Sequence, residues 1–139
     1  MNYLDRIRAG GRSANPFFGM MGIDVVSFGD GRAVLRMEVR PDMLNGAGWL
    51  QGGMLVALAD EAIALAAYTR LTEGEGIATI SESTSFIRGV RSGTVFAEGR
   101  VLRKGRRVAF CEGEVWIEDG GERSLLSRTS AAFAVTAAP

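Results

Sequence analysis

Residues 45–69 read Asn45-Gly-Ala-Gly-Trp49-Leu-Gln51-Gly52-Gly53-Met-Leu-Val-Ala-Leu-Ala-Asp60-Glu61-Ala-Ile-Ala-Leu-Ala-Ala-Tyr68-Thr69, a glycine-rich loop running straight into a helix-forming stretch. Set at about 100° per residue, Met54 to Thr69 has no broad polar face; only Asp60 and Glu61 interrupt it, about a third of a turn apart. A helix apolar nearly all round has to be buried. An ionised carboxylate carried into that environment is costly unless something pairs with it or uses it. Gly52 and Gly53 open the helix, where free backbone N–H groups and the positive dipole end can hold a developing oxyanion. With the Asn45 amide in the loop, these are the parts of an acyl-transfer or hydrolytic site.

Periodicity does not choose between the two acids. Asp60 neighbours Val56, Ile63, Ala64 and Ala67 on the helix surface, and Glu61 neighbours Ala57, Leu58, Leu65 and Tyr68, both apolar settings. Asp60 lies too far into the helix simply to complement its dipole. Asn45, in a glycine-rich loop, also suits a left-handed turn.

Composition narrows the chemistry. The 139 residues are expected to form a single domain, residues 1–139, large enough for one core. Sixteen Lys and Arg balance sixteen Asp and Glu, so nothing global points to nucleic acid or an anionic membrane. No histidine is present, which excludes Ser-His-Asp and Cys-His catalysis in their usual forms and removes the commonest zinc ligand. Cys111 is the only cysteine and sits in an apolar strand, where it reads as a small buried hydrophobe. No metal and no cofactor are expected. Residues 1–8 lack an apolar stretch and the 53–69 helix is too short to span a bilayer, so a cytoplasmic protein is expected.

Around the helix, the pattern predicts short helices over 3–9 and 16–20, the second capped by Asn15 with Pro16 at its first position. Alternation of Ala33, Leu35, Met37 and Val39 predicts a half-buried strand over 32–40. Gly74 marks the end of the long helix. Strands follow over 77–87, 94–103, 107–118 and 124–136, with Gly89–Gly93, Lys104-Gly105 and Asp119–Gly121 as turns. Gly113 predicts a bulge or bend. One strand, one buried helix and an antiparallel meander describe an α+β fold, a curved sheet rolled round a single helix.

The segment resembles the central helix of hotdog-fold acyl-CoA thioesterases of the phenylacetate-degradation, PaaI-like branch. That branch carries an Asn, then His-Gly-Gly six residues on, then a Leu-Ala-Asp-like stretch. Here Asn45, Gln51-Gly52-Gly53 and Leu58-Ala59-Asp60 keep both spacings, with Gln51 in place of the histidine. The likeness runs from about residue 15 to about residue 135. It implies that Asp60 acts on the thioester as nucleophile or general base, that the Gly52 N–H polarises its carbonyl, and that Asn45 orients water or thioester. Thr79 falls where the family places a hydroxyl facing the acid. The Gln51 amide can still donate and accept. Coenzyme A is rich in phosphate, which suits the basic turns holding Arg88, Arg91, Arg103, Lys104, Arg106 and Arg107. The resemblance further implies hydrolysis of an aryl- or short- to medium-chain acyl-CoA, and a homo-oligomer, dimer or dimer of dimers, with sites between subunits. Phe17, Phe18, Met20, Met21, Trp49 and Tyr68 suit either an acyl pocket or the core. A hydroxyacyl dehydratase would need a histidine; a non-catalytic acyl-CoA-binding hotdog protein is the alternative.

Overall fold

The computed structural model describes residues 2–138. Two short helices come first. In α1 (Tyr3–Gly10) the Asn2 side chain accepts the Asp5 N–H; in α2 (Pro16–Met21) Asn15 takes the N–H of Phe17 and Phe18, with Pro16 at the first position. Strands β1 (Ile23–Gly29) and β2 (Arg32–Glu38) form a hairpin, and the long helix α3 (Gly52–Tyr68) follows. The chain then makes β3 (Glu75–Phe86), β4 (Thr94–Lys104), β5 (Val108–Asp119) and β6 (Glu122–Ala137). All neighbouring strands are antiparallel, in the order β1-β2-β4-β5-β6-β3.

Three expectations need correction. Strand β1 was not foreseen: Val25 and Val26 stand side by side and the register slips between Val25 and Ser27, which destroys the alternation that would reveal it. The Gly89–Gly93 segment is no hairpin turn. It carries the chain from β3, an edge strand, across to β4 in the middle of the sheet. Gly113 lies at no bulge; the slips in that region fall between Val101 and Arg103 and between Val115 and Trp116.

Gly113 has another purpose. It pairs with Gly99 across β4 and β5, and the middle of α3 rests on the pair. A Cβ on Gly99 would stand 2.4 Å from the Ala62 carbonyl oxygen and 2.5 Å from Ile63 Cα; one on Gly113 would stand 2.8 Å from the Ile63 side chain. The missing side chains let helix and sheet backbones meet. Leu55, Leu58, Ala59, Ala62, Ile63, Leu65, Ala66 and Ala67 are buried there with Ala33, Leu35 and Met37 of β2. At the helix end, Thr69 Oγ1 bonds to the Ala66 carbonyl and accepts the Gly31 N–H of the β1–β2 turn. Among the described residues, no helix is long and apolar enough to cross a membrane.

Candidate active site

The sheet encloses α3 on most sides but not all. Ala57, Asp60, Glu61, Ala64 and Tyr68 follow the spacing of one helix face and stay half-buried, while the residues between them are sealed. The two acids therefore lie on the one stripe of the helix that this chain leaves open. A cavity of about 320 Å³ opens beside it. Its walls are Tyr3 and Arg6 of α1, Asn15, the stripe itself, Ile77 and Thr79 of β3 and Phe133 of β6. Tyr3 packs on Tyr68 with ring centres 5.0 Å apart, and its hydroxyl accepts the Asn15 amide N–H at 2.8 Å.

The electrostatics of this cavity are dominated by carboxyls. Burial lifts the Glu61 carboxyl to about 7; the charge of Asp60 adds to the rise and the Asn15 amide works against it. Across from Asp60 stands Glu82 of β3. Burial first, then a hydrogen bond to Asp60 and the Asp60 charge, push the Glu82 carboxyl up to about 8. Among the described residues, Glu82 Oε1 is buried without a partner.

The other sequence candidates gather elsewhere. Asn45 Oδ1 accepts the N–H of Ala47 (3.0 Å) and of Trp49 (3.1 Å), so this side chain braces the glycine loop. Arg91 closes it from outside, donating to the Gly48 carbonyl at 3.3 Å with its guanidinium 3.7 Å over the Trp49 ring centre. Gln51 caps α3: its Oε1 accepts the Gly53 N–H. The Met54 N–H bonds to the Gln51 carbonyl, and among the described residues the Gly52 N–H has no partner. Phe86, at the far end of β3, lies against Gly52.

Gly52 and Asp60 are eight residues apart on one straight helix, about 12 Å along its axis. One chain thus presents an acid-bearing group (Asp60, Glu61, Thr79, Glu82) and, a helix-half away, a donor-bearing group (Asn45, Gln51, Gly52). Residues 47–124, more than half of the chain, match the thioesterase superfamily. The chain belongs to that superfamily.

Its relatives agree. Acyl-coenzyme A thioesterase PaaI of Escherichia coli (strain K12) is 33% identical over 98 residues, 68% of this chain and 66% of its own length. A mutant of the phenylacetic acid degradation protein PaaI from Thermus thermophilus superposes with a TM-score of 0.77 at 31% identity, covering 86% of this chain and 98% of that one. A thioesterase family protein from Silicibacter pomeroyi reaches a TM-score of 0.88 over 99% of this chain and 100% of its own; at 18% identity, that likeness is one of fold. The thioesterase-superfamily chain has the hotdog fold, and its family's chemistry is thioester hydrolysis.

Within this superfamily member the basic residues fall into two places. Arg88, which donates to Ser124 Oγ, and Arg91 precede β4 on the glycine-loop side. Arg103 is the penultimate residue of β4 and Arg106 follows in the turn; the eleven residues of β4, roughly 33 Å from first to last, separate the two places. Arg103 and Lys104 share a surface hollow with Arg70, just past α3. Of the proposed pocket residues only Tyr68 lines the Asp60 cavity. Phe18 and Met21 are core, Phe17 packs against the core, Met20 is exposed, and Trp49 is held by Arg91. Cys111 is buried against the sheet side of α3, which pushes its thiol up to about 11. Among the described residues no His, Cys, Asp and Glu cluster is arranged to hold a metal ion.

Sequence reasoning missed Tyr3, Asn15 and Glu82. One signal for Glu82 was available: it is the only charged residue between Ile77 and Ile87.

Proposed function

We propose that the protein hydrolyses acyl-CoA thioesters carrying an aryl or short- to medium-chain acyl group. The observation that carries this is the Asp60 cavity. Its Tyr3, Leu65, Tyr68, Ile77 and Phe133 walls suit an apolar or aromatic acyl group, and an acid stands at its edge. Asp60 acts on the thioester carbonyl, as nucleophile or as base to water, Thr79 faces it, and the C–S bond breaks to release CoA. The Gly52 N–H stabilises the oxyanion, supported by Asn45 and the Gln51 cap. Of the two basic places among Arg88, Arg91, Arg103 and Arg106, one end of β4 serves the phosphates of CoA in each site. The PaaI relative from Escherichia coli, named for this activity, supports the reading. Purified protein should release free thiol from a panel of aryl-, short-, medium- and long-chain acyl-CoAs, fastest with the first three classes. Binding without thiol release across the whole panel would leave a non-catalytic acyl-CoA-binding protein instead.

The 12 Å between acid and donors is bridged by a second copy. Strand β3 is an edge strand of twelve residues with exposed Ile80 and Phe86, the kind of edge that pairs with another chain. A homodimer through that edge brings one subunit's Gly52 to the other's Asp60. Gly52→Pro tests this. Position 52 is the first of the helix, where proline fits, and Gln51 before it is already extended (φ −61°, ψ 129°). The variant removes the N–H and adds a Cβ that stands 3.2 Å from the Phe86 ring, so Gly52→Ala, which adds the same Cβ and keeps the N–H, is its control. Beyond any loss in the alanine variant, the proline variant should lose about 10²–10³-fold in kcat. Co-expressed with Asp60→Asn chains, it should regain activity through mixed dimers that keep one intact site. Monomers by light scattering, or no complementation, would refute the shared site.

A further inference from the structure

We propose that Glu82 is the positioning residue for Asp60: it carries the proton shared by the two carboxyls and holds Asp60 in line through a carboxyl–carboxylate hydrogen bond. This deepens the thioester-hydrolase reading and rests on it. The geometry begins with a slip in β3. Thr79 and Glu82 are three residues apart, which in a regular strand places them on opposite faces. The register against β6 shifts between Thr79 and Ser81, so Ile80 is left over and points outward, 58% exposed. Thr79 pairs with the buried Phe133 and Glu82 with the buried Ala131, so both face α3: Thr79 at the cavity wall, and Glu82, its Oε1 buried without a partner among the described residues, toward the Asp60 carboxyl.

Among the described residues, the charged group that faces Glu82 is Asp60. On β6 Glu82 pairs with Ala131, and the inward neighbours Thr129 and Phe133 carry no charge. The Thr129 hydroxyl bonds to that of Thr84 at 2.8 Å. From α3 the facing group is Asp60; Glu61 of α3 and Tyr3 and Arg6 of α1 line the neighbouring cavity. Two anions so placed repel, so one proton stays between them. With Glu82 O–H donating to one Asp60 oxygen, the other oxygen remains free for the thioester. When Asp60 serves as base, the proton it takes from water passes to the departing thiolate, while the Glu82 proton stays where it began. Loss of that proton in alkali removes the hydrogen bond and sets two charges against each other.

The test is the pH profile of kcat for Glu82→Gln and Glu82→Ala on the best acyl-CoA. In the wild type, kcat should fall with a midpoint near pH 8. Glutamine keeps a donor that cannot titrate, so Glu82→Gln should retain most of the rate and lose the alkaline fall. Alanine should lower kcat by about 10²-fold with little change in KM, the scale of a misplaced reacting group. An alkaline fall unchanged in Glu82→Gln, or a full-rate Glu82→Ala, would overturn the proposal. A second readout needs no substrate: the Glu82 carboxyl, followed by carbon NMR, should titrate near pH 8 and move down in Asp60→Asn. Brisk hydrolysis with Glu82 titrating like an ordinary carboxylate would sink the pair and leave the enzyme reading standing. A high Glu82 titration without any hydrolysis would sink the enzyme reading, and with it the catalytic purpose of the pair.

Discussion

Asp60→Asn should lower kcat by about 10²–10⁴-fold, the usual range for losing a positioned acid–base group. Asparagine preserves shape and still accepts a hydrogen bond from Glu82, but it has neither the charge nor the basicity to attack the thioester or activate water. Folding should not suffer. Asp60 stands beside two other acids, and its charge is a cause of the raised Glu61 and Glu82 carboxyls. Removing it relieves that repulsion, so Tm should hold or rise. The size of the gain depends on pH. In the wild type, folded Glu61 and Glu82 keep protons that the unfolded chain gives up above its ordinary 4.5, so stability falls as pH climbs through about 7 and 8. Asp60→Asn flattens that fall, and its Tm advantage should widen over the same interval. Glu61→Gln is the companion variant and should keep most of the rate. A nearly full-rate Asp60→Asn beside an inactive Glu61→Gln would move the chemistry one residue along the helix.

The second large effect is on stability. Gly99→Ala places a methyl group 2.4 Å from the Ala62 carbonyl oxygen and 2.5 Å from Ile63 Cα. Both are helix backbone, which cannot swing aside as a side chain would. Overpacking of this kind costs about 1–3 kcal/mol and occasionally more; with backbone on both sides, about 3 kcal/mol or above is expected. For a chain of this length that lowers Tm on the order of 10 °C. Gly19→Ala is the control. Gly19 lies within α2, and the nearest atom outside its own helix turn stands 4.0 Å from the added methyl, so alanine there should be neutral or stabilise by about 0.5–1 kcal/mol. Urea melts of the two variants make the comparison. A Gly99→Ala protein within about 1 kcal/mol of wild type would mean that helix and sheet are not held at this contact.

How much could be read beforehand depended on how local each signal was. Helix α3 announced itself because burial on nearly every side leaves no polar interruption except the acids. Strand β2 was legible through Ala33, Leu35 and Met37, which alternate cleanly. Strand β1 and the crossover were not. A bulge blurs the first, and for the second a short glycine-bounded segment looks the same whether it returns to its neighbour or crosses the sheet. That choice rests on which strand edge is already occupied, a property of the whole sheet. That Thr79 lies on the same cavity as Asp60 accords with what the resemblance implies. Glu82 was hidden by a single extra residue in its strand, and Tyr3 and Asn15 by the more than forty residues separating them from Asp60. Glycines 99 and 113 are visible as glycines in any strand, but only the packed helix explains them.

The wall formed by Tyr3, Arg6 and Asn15 lies outside residues 47–124, the part of the chain that matches the superfamily. Helix α3 with Asp60 and Glu61 lies inside that part, while Asn45, like these three cavity residues, lies outside it. On the proposed reading, substitutions at Tyr3 or Arg6 alter the wall of the cavity and leave Asp60 and Gly52 on α3 untouched, so acyl preference should be adjustable from α1 without rebuilding the long helix.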